Sequence, residues 1–421
     1  MSEFKELIKS FPKTREYVRD FFVYGFKTRD DFKAKSGRTY DNERRRIESW
    51  LAPFVKQDYT GKGKNISLAI DSNLLDTNPL YRVWKTKSFT DNDIQLHFFL
   101  FDYLNTEEGF TIEQIADGFL EEYEICFDTQ LIRRKCNAYI KEGLIRTEKI
   151  GKELLYYKNE NFADIAARTP RLDHALSFFT QSAPLGIIGD TILDNIDTKN
   201  STFRLKHGFF VHTLEDEMLL LLLTAMREKC NVTVKIRGTR SLEESIFSGT
   251  PLQIFTSTQT GRRFLCIHLT EKKRFHCLRL DGIKNVELCK PASDDASPDT
   301  DSTAAYDRLK QALDNNRPYL WGVSFQNGSR SRLEKVKLTI HADEEREMFI
   351  VERLQREGRG GRITKAAPHT FVYETEVFDS TEMLPWLRTF TGRIIDLECD
   401  NAFVRRQFVC DMQNMYELYD I

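Results

Sequence analysis

The chain has 421 residues, enough for about three domains, each with a core of its own. Hydrophobic residues make up 40% and charged residues 30%, with 62 basic against 64 acidic side chains and a net charge of −2. That is the balance of an ordinary soluble protein, and by itself it excludes a uniformly polycationic chain.

Charge is distributed unevenly beneath that total. Residues 1–64 carry 16 basic and 10 acidic side chains, residues 65–128 carry 3 and 13, residues 129–158 carry 8 and 3, and residues 230–290 carry 11 and 5. Three cationic islands matter more for partners than the sum does. The eight cysteines contain no C-x-x-C pair and mostly sit in apolar runs, as reduced thiols do, so neither a disulfide framework nor a zinc site is expected. The first ten residues lack an apolar signal core. The longest aliphatic run, Met218–Leu223, falls far short of the ~20 residues that span a bilayer. The expectation is a cytoplasmic protein with no membrane partner and no cofactor or metal.

In chain order, residues 1–60 read as a basic segment of three short helices, and 60–88 as irregular. From Asp91 the pattern sharpens. An apolar helix follows an Asp cap, and Thr111 with Gln114 forms a capping box for a second helix. Asp128 and Gly143 bracket a third, and two short strands turn at Gly151. Helix, helix, helix, hairpin is the order of a winged helix-turn-helix, assigned to 91–160, with a helical linker over 161–205. A helix at 215–229 precedes strands at 232–237, 251–258, 262–269, 273–280 and 285–288, the spacing of a small barrel over 206–290. Residues 291–330 read as an acidic loop and linker. Strand and helix then alternate through 331–421 in the manner of a ferredoxin-like sandwich, closed by an amphipathic helix at 401–419. The fold class is multi-domain α+β.

The third helix carries the strongest functional signal. Ile132, Cys136, Tyr139 and Ile140 share its apolar face. Thr129, Gln130, Arg133, Arg134, Asn137 and Lys141 occupy the rest. Arg suits guanine edges, Gln and Asn suit adenine, and Lys suits phosphate, as a recognition helix requires. Lys149 and Lys152 flank the wing turn, where minor-groove or backbone contact is expected. A solvated basic face is the bland alternative. In the N-terminal segment, Arg38, Arg44, Arg45 and Arg46 either grip phosphates or form a polar face paired with Asp41, Glu43 and Glu48.

The second signal is cationic. Arg262 and Arg263 head one apolar strand and Arg279 lies within the next. An unpaired buried guanidinium costs several kcal/mol, so Arg279 needs a partner. That partner is either Asp281 or an anion held by Arg279 with Arg262 or Arg263. His268, with His276 and Cys266, sits close to these arginines. The histidines more simply fill and rim the barrel, and no nucleophile elbow, H-E-x-x-H or P-loop occurs, so the chain is not expected to be an enzyme.

The stretch "PLQIFTSTQTGRRFLCIHL", continuing to "RFHCLRLDGIKNVEL", resembles the WYL domain. That family is named for a Trp-Tyr-Leu tripeptide followed by a Phe-Arg-Leu-Asp-Arg-Ile-like segment. Here the first stands as Arg263-Phe264-Leu265 and the second as Leu278-Arg279-Leu280-Asp281-Gly282-Ile283. The lead-in at 203–226, the winged helix before it and the extension after it agree in order, so the resemblance covers about three quarters of the chain. It implies a bacterial transcription regulator with an Sm-like ligand-sensing barrel and a C-terminal WCX-like extension that helps to form a homodimer. It also implies an anionic effector such as single-stranded DNA, an oligonucleotide or a nucleotide, with Arg279 facing it. Ligand residues are then Arg262, Arg263, His268 and Arg279, and the partner of the third helix is an operator in double-stranded DNA. The sequence departs at Arg263, where the family has Trp, and at Gly282, where it has a second Arg. The competing reading is a nucleic-acid adaptor that binds single strands or RNA without an operator.

Overall fold

Asp128 opens the helix over Thr129–Lys141: its carboxylate accepts from the Gln130 amide at 2.8 Å, and its carbonyl starts the helical ladder. This helix belongs to a computed structural model that describes residues 11–22, 28–31, 36–61, 63–70, 78–81, 91–141, 143–160, 167–180, 186–198, 210–238, 243–257, 260–289, 300–326 and 333–419. The chain divides into two units, Met1–Leu214 and Glu215–Ile421.

The first unit begins with α1 (Phe11–Phe22) and α2 (Gly37–Leu51), whose Tyr17, Val18, Phe21, Tyr40, Ile47 and Leu51 bury into one cluster. A hairpin of β1 (Val55–Thr60) and β2 (Gly63–Leu68) follows, where irregular chain was expected from residue 60. Its strand residues alternate weakly, which hid the pairing. The middle helix expected from Thr28 is a single 3-10 turn at Arg29–Asp31, and its continuation lies outside the described residues.

Next come α3 (Asp91–Tyr103), α4 (Ile112–Tyr123), α5 (Thr129–Lys141), β3 (Ile145–Ile150) and β4 (Glu153–Lys158). The capping box at α4 is present: Thr111 Oγ1 accepts from the Gln114 amide and Gln114 Oε1 accepts from the Thr111 amide. Gly118 lets α4 approach α3, because a Cβ there would meet the Tyr103 ring at 2.3 Å. Gly151 takes φ 65° at the tip of the β3–β4 hairpin, as a tight two-residue turn demands. Leu96, Leu100, Ile115, Phe119, Ile132, Cys136, Tyr139 and Ile145 form the shared core. Two short helices, α6 (Leu172–Phe179) and α7 (Gly186–Asn195), complete the described part of this unit before the 3-10 segment Phe210–Glu215.

The second unit begins with α8 (Asp216–Arg227) and five antiparallel strands: β5 (Asn231–Arg237), β6 (Glu244–Thr256), β7 (Arg263–Leu269), β8 (Arg274–Arg279) and β9 (Ile283–Cys289). Their order is β8-β7-β6-β5-β9, so the last strand returns beside the first. β6 starts seven residues earlier than the sequence pattern suggests. A register shift between Pro251 and Gln253 bends it, so that one long strand serves both halves of the sheet. Leu265, Ile267, Leu269, Leu278 and Val286 face α8 across one core. The other face of β7 and β8 buries Cys266 and Phe275 against Leu313, Leu320, Phe325 and Phe378. Leu313 lies on α9 (Thr300–Asn316), a helix where the sequence reading placed only loop and linker. The acids that flank it suggested solvent. Its Tyr306, Leu309, Ala312 and Leu313, at helical spacing, pack inward instead.

The remaining elements are β10 (Glu334–His341), α10 (Met348–Glu357), β11 (Arg362–Ala367), β12 (Thr370–Val377), the short α11 (Leu384–Leu387) between 3-10 turns, β13 (Ile394–Cys399) and α12 (Ala402–Tyr419). The sheet is antiparallel in the order β11-β12-β10-β13. β11, absent from the sequence reading, is an edge strand with little buried side chain and hence a weak pattern. Val336, Leu338, Ile340, Leu354, Tyr373, Leu387, Val404 and Phe408 build the core under the sheet. The architecture is mixed α+β, with several small antiparallel sheets.

Candidate nucleic-acid interface and the arginine strands

α5 buries Ile132, Cys136 and Tyr139 and turns Thr129, Gln130, Arg133, Arg134, Asn137 and Lys141 outward. Gln130, Arg133, Arg134, Asn137, Ala138 and Lys141 line a shallow hollow of about 570 Å³ along the helix. Arg133 lies 3.4 Å from Glu113 at the start of α4, an exposed and therefore weak pair. Tyr139 anchors the buried side, with its hydroxyl 2.8 Å from His97 Nδ1 on α3. Burial pushes the Cys136 thiol up to about 12, so this cysteine packs rather than reacts. Lys149 and Lys152 project from the hairpin tip. By contrast Arg146 is spent locally, donating to the Thr106 carbonyl at 2.9 Å with its guanidinium 4.1 Å from the Tyr157 ring centroid.

On α2 the arginines mostly pair within the helix. Arg44 sits 3.7 Å from Glu48, Arg45 donates to Asn42 at 2.5 Å, and Arg46 reaches Glu43 at 2.6 Å. This favours the polar-face alternative, and only Arg38 is exposed without such a contact among the described residues.

The arginines of β7 and β8 require a correction. Arg279 donates from Nε to Asp281 Oδ1 at 3.0 Å and from Nη2 to Asp281 Oδ2 at 2.6 Å. Asp281 is almost wholly buried, and Arg262 Nε approaches the same carboxylate at 3.9 Å. Arg279 is thus not a lone cation aimed at a pocket: a 3-10 turn at Leu280–Gly282 folds Asp281 back onto it. Arg263 does not reach a ligand surface at all. It is 5% exposed, on the same face as Leu265 and Ile267, with Nη1 3.5 Å from Asp216 Oδ1 at the start of α8. The sequence gives no local hint of Asp216, 47 positions upstream. His268 is half-buried beside Phe275, 5.4 Å between ring centroids, and burial holds its pKa below the usual imidazole range. The sequence points to His276 but not to Lys272 or Arg274, which stand with it around the β7–β8 turn; the run Glu271-Lys272-Lys273-Arg274 is the available sign. No group of three or more His, Cys, Asp or Glu suited to a metal occurs among the described residues. No helix there is long and apolar enough to cross a membrane.

No family model matches this sequence, and no curated protein matches it. Among solved structures, it is similar to the proteasome accessory factor B/C (PafBC) of Arthrobacter aurescens at 12% identity and a TM-score of 0.27, over 78% of this chain and 49% of that one. It is also similar to a CRISPR Cas-related protein at 12% identity and a TM-score of 0.31, over 73% of this chain and 78% of the other. The chain spans about half the length of the PafBC structure. At such scores the likenesses carry no argument, and the functional reading rests on this chain's own residues.

Proposed function

We propose that the chain is a WYL-type transcription regulator that binds operator DNA through α5 and answers to an anionic, nucleic-acid-derived effector on its five-stranded barrel. One observation carries the reading. α5 presents Gln130, Arg133, Arg134, Asn137 and Lys141 on the side opposite its core, beside a hairpin tipped by two lysines. Phosphate contacts from Lys149 and Lys152 would position the helix, and its arginines and amides would read base edges. The strand order of the five-stranded sheet supports an Sm-like barrel, and the βαββαβ order after it supports a ferredoxin-like extension. An effector shifts the balance between two arrangements only by the difference in its affinity for them.

Homodimerisation belongs to the same proposal. On α12 Val409, Met412, Tyr416 and Tyr419 recur at steps of three and four, the spacing of a coiled-coil seam, and Val409, Tyr416 and Tyr419 are more than half exposed. A second copy of the same helix matches such a seam.

The test begins with selection of bound fragments from a random duplex pool by the full-length protein, followed by a mobility-shift titration. Arg133→Glu with Arg134→Glu is expected to lower affinity for the selected duplex at least 100-fold with unchanged circular dichroism. Unchanged affinity rejects the helix assignment. Equal binding to all duplexes would favour the adaptor reading.

A further inference from the structure

Arg262, Arg263 and Arg279 all lie at an aspartate, whereas Arg274 does not. Among the described residues Arg274 makes no ion pair, and its Nε is closed off from water without a hydrogen-bond acceptor. That nitrogen is costly to leave so, and because neither Nη of the half-buried side chain is closed off in the same way, the fork of the guanidinium can be reached by an anion from outside. Arg274 opens β8 directly after the turn Thr270–Lys273, which adds the exposed Lys272 and Lys273. His276, two residues on, shares its face of the strand. The His276 ring lies 5.5 Å from that of Phe247 on β6, inclined by 34°. Burial first, then Arg274 and Lys272, hold His276 below the usual imidazole range, so both cations act on this imidazole. Glu271 is exposed in the same turn and pairs with none of them among the described residues. A solvated turn accounts for Lys272 and Lys273. It does not account for a half-buried guanidinium that makes no ion pair among the described residues.

We propose that Arg274, Lys272 and His276 form the barrel's receptor for the phosphate of a nucleotide or of single-stranded nucleic acid. Arg supplies a planar fork, Lys a point charge and the neutral imidazole one N–H, which together suit phosphate oxygens. The Phe247–His276 ring pair lies beside them and offers a surface on which a base can stack. This places the effector at the opposite end of β8 from Arg279 and on its other face, about 17 Å along the strand. The inference rests on the effector-sensing reading and assigns that reading a site.

The test uses full-length protein and fluorescein-labelled oligo-dT of twelve nucleotides, read by anisotropy, with the selected duplex titrated in parallel. Lys272→Gln with Arg274→Gln is expected to weaken oligo-dT binding at least tenfold. Arg279→Gln is expected to change it less than threefold. Duplex affinity in both variants should stay within twofold, which also shows that they fold. Competition separates the sources: displacement by AMP means that a free nucleotide suffices, and displacement by unlabelled oligo-dT alone means that a strand is required. Oligo-dT binding unchanged in the double variant, with duplex binding intact, overturns the site and leaves the DNA-binding reading standing. Equal displacement by polyglutamate overturns the phosphate assignment. Failure of wild-type protein to bind oligo-dT, AMP or inorganic phosphate overturns both the site and the effector reading.

Discussion

Arg263, the first residue of a strand, and Asp216, on the first turn of a helix 47 positions upstream, lie 3.5 Å apart and are 5% and 2% exposed. Two charges withdrawn from water hold together only as a pair. Removing one leaves the other stranded in a medium that cannot solvate it, a loss of about 3–5 kcal/mol. Asp216→Ala is therefore expected to lower unfolding free energy by about that amount in a urea titration. Replacing both, as Asp216→Leu with Arg263→Met, should recover most of the loss, because apolar side chains of similar volume carry no desolvation cost. A double variant no more stable than the single one would refute this account.

The hairpin lysines act through phosphates in the proposed complex, so they should matter equally for every duplex. Lys149→Gln and Lys152→Gln are each expected to weaken binding uniformly across sequences. Each should also reduce the slope of log affinity against log salt by about 1. Arg134→Ala should instead narrow the gap between selected and unrelated duplexes. A salt slope untouched by either lysine change removes the wing from the interface.

Histidine sets an acid limit on the second unit. Burial lowers His268, opposed by a hydrogen bond with the Lys273 backbone, and burial together with Arg274 and Lys272 lowers His276. In the unfolded chain both titrate near 6.5. As pH falls the unfolded state therefore binds protons first. The contribution of these residues is fully present above about 6.5 and declines as pH drops toward their folded values. Thermal midpoints measured from pH 7.5 to 5.5 should fall, and His268→Gln with His276→Gln should flatten that fall. An equally steep decline in the double variant would assign it to other groups.

The α12 seam gives a direct test of self-association. Wild-type protein is expected to have twice the chain mass by light scattering, and Val409→Glu with Tyr416→Glu to have the mass of one chain. These side chains are exposed, so folding should be little affected. A wild-type monomer at about 50 micromolar protein, well above a Kd of about 1 micromolar (about −8 kcal/mol), would reject the seam.

What the sequence determined unaided is what neighbours in the chain determine. The helices of 91–141 and the hairpin that follows are set by caps at Thr111 and Asp128, by periodic apolar residues and by the left-handed glycine at 151, all within a few positions of one another. The outward composition of α5 follows from the same periodicity, because a helix with one buried face exposes the other. The tertiary structure alone decided which charges are available. Asp216 neutralises Arg263 from another element, and the 3-10 turn folds Asp281 under Arg279, whereas Arg274 receives no such partner. It also decided that the 300–316 stretch, which follows directly on an acidic run, is a helix whose apolar side seals the back of β7 and β8. Local propensity cannot foresee either outcome, because the electrostatic and burial terms that settle them come from atoms brought together only when distant segments pack.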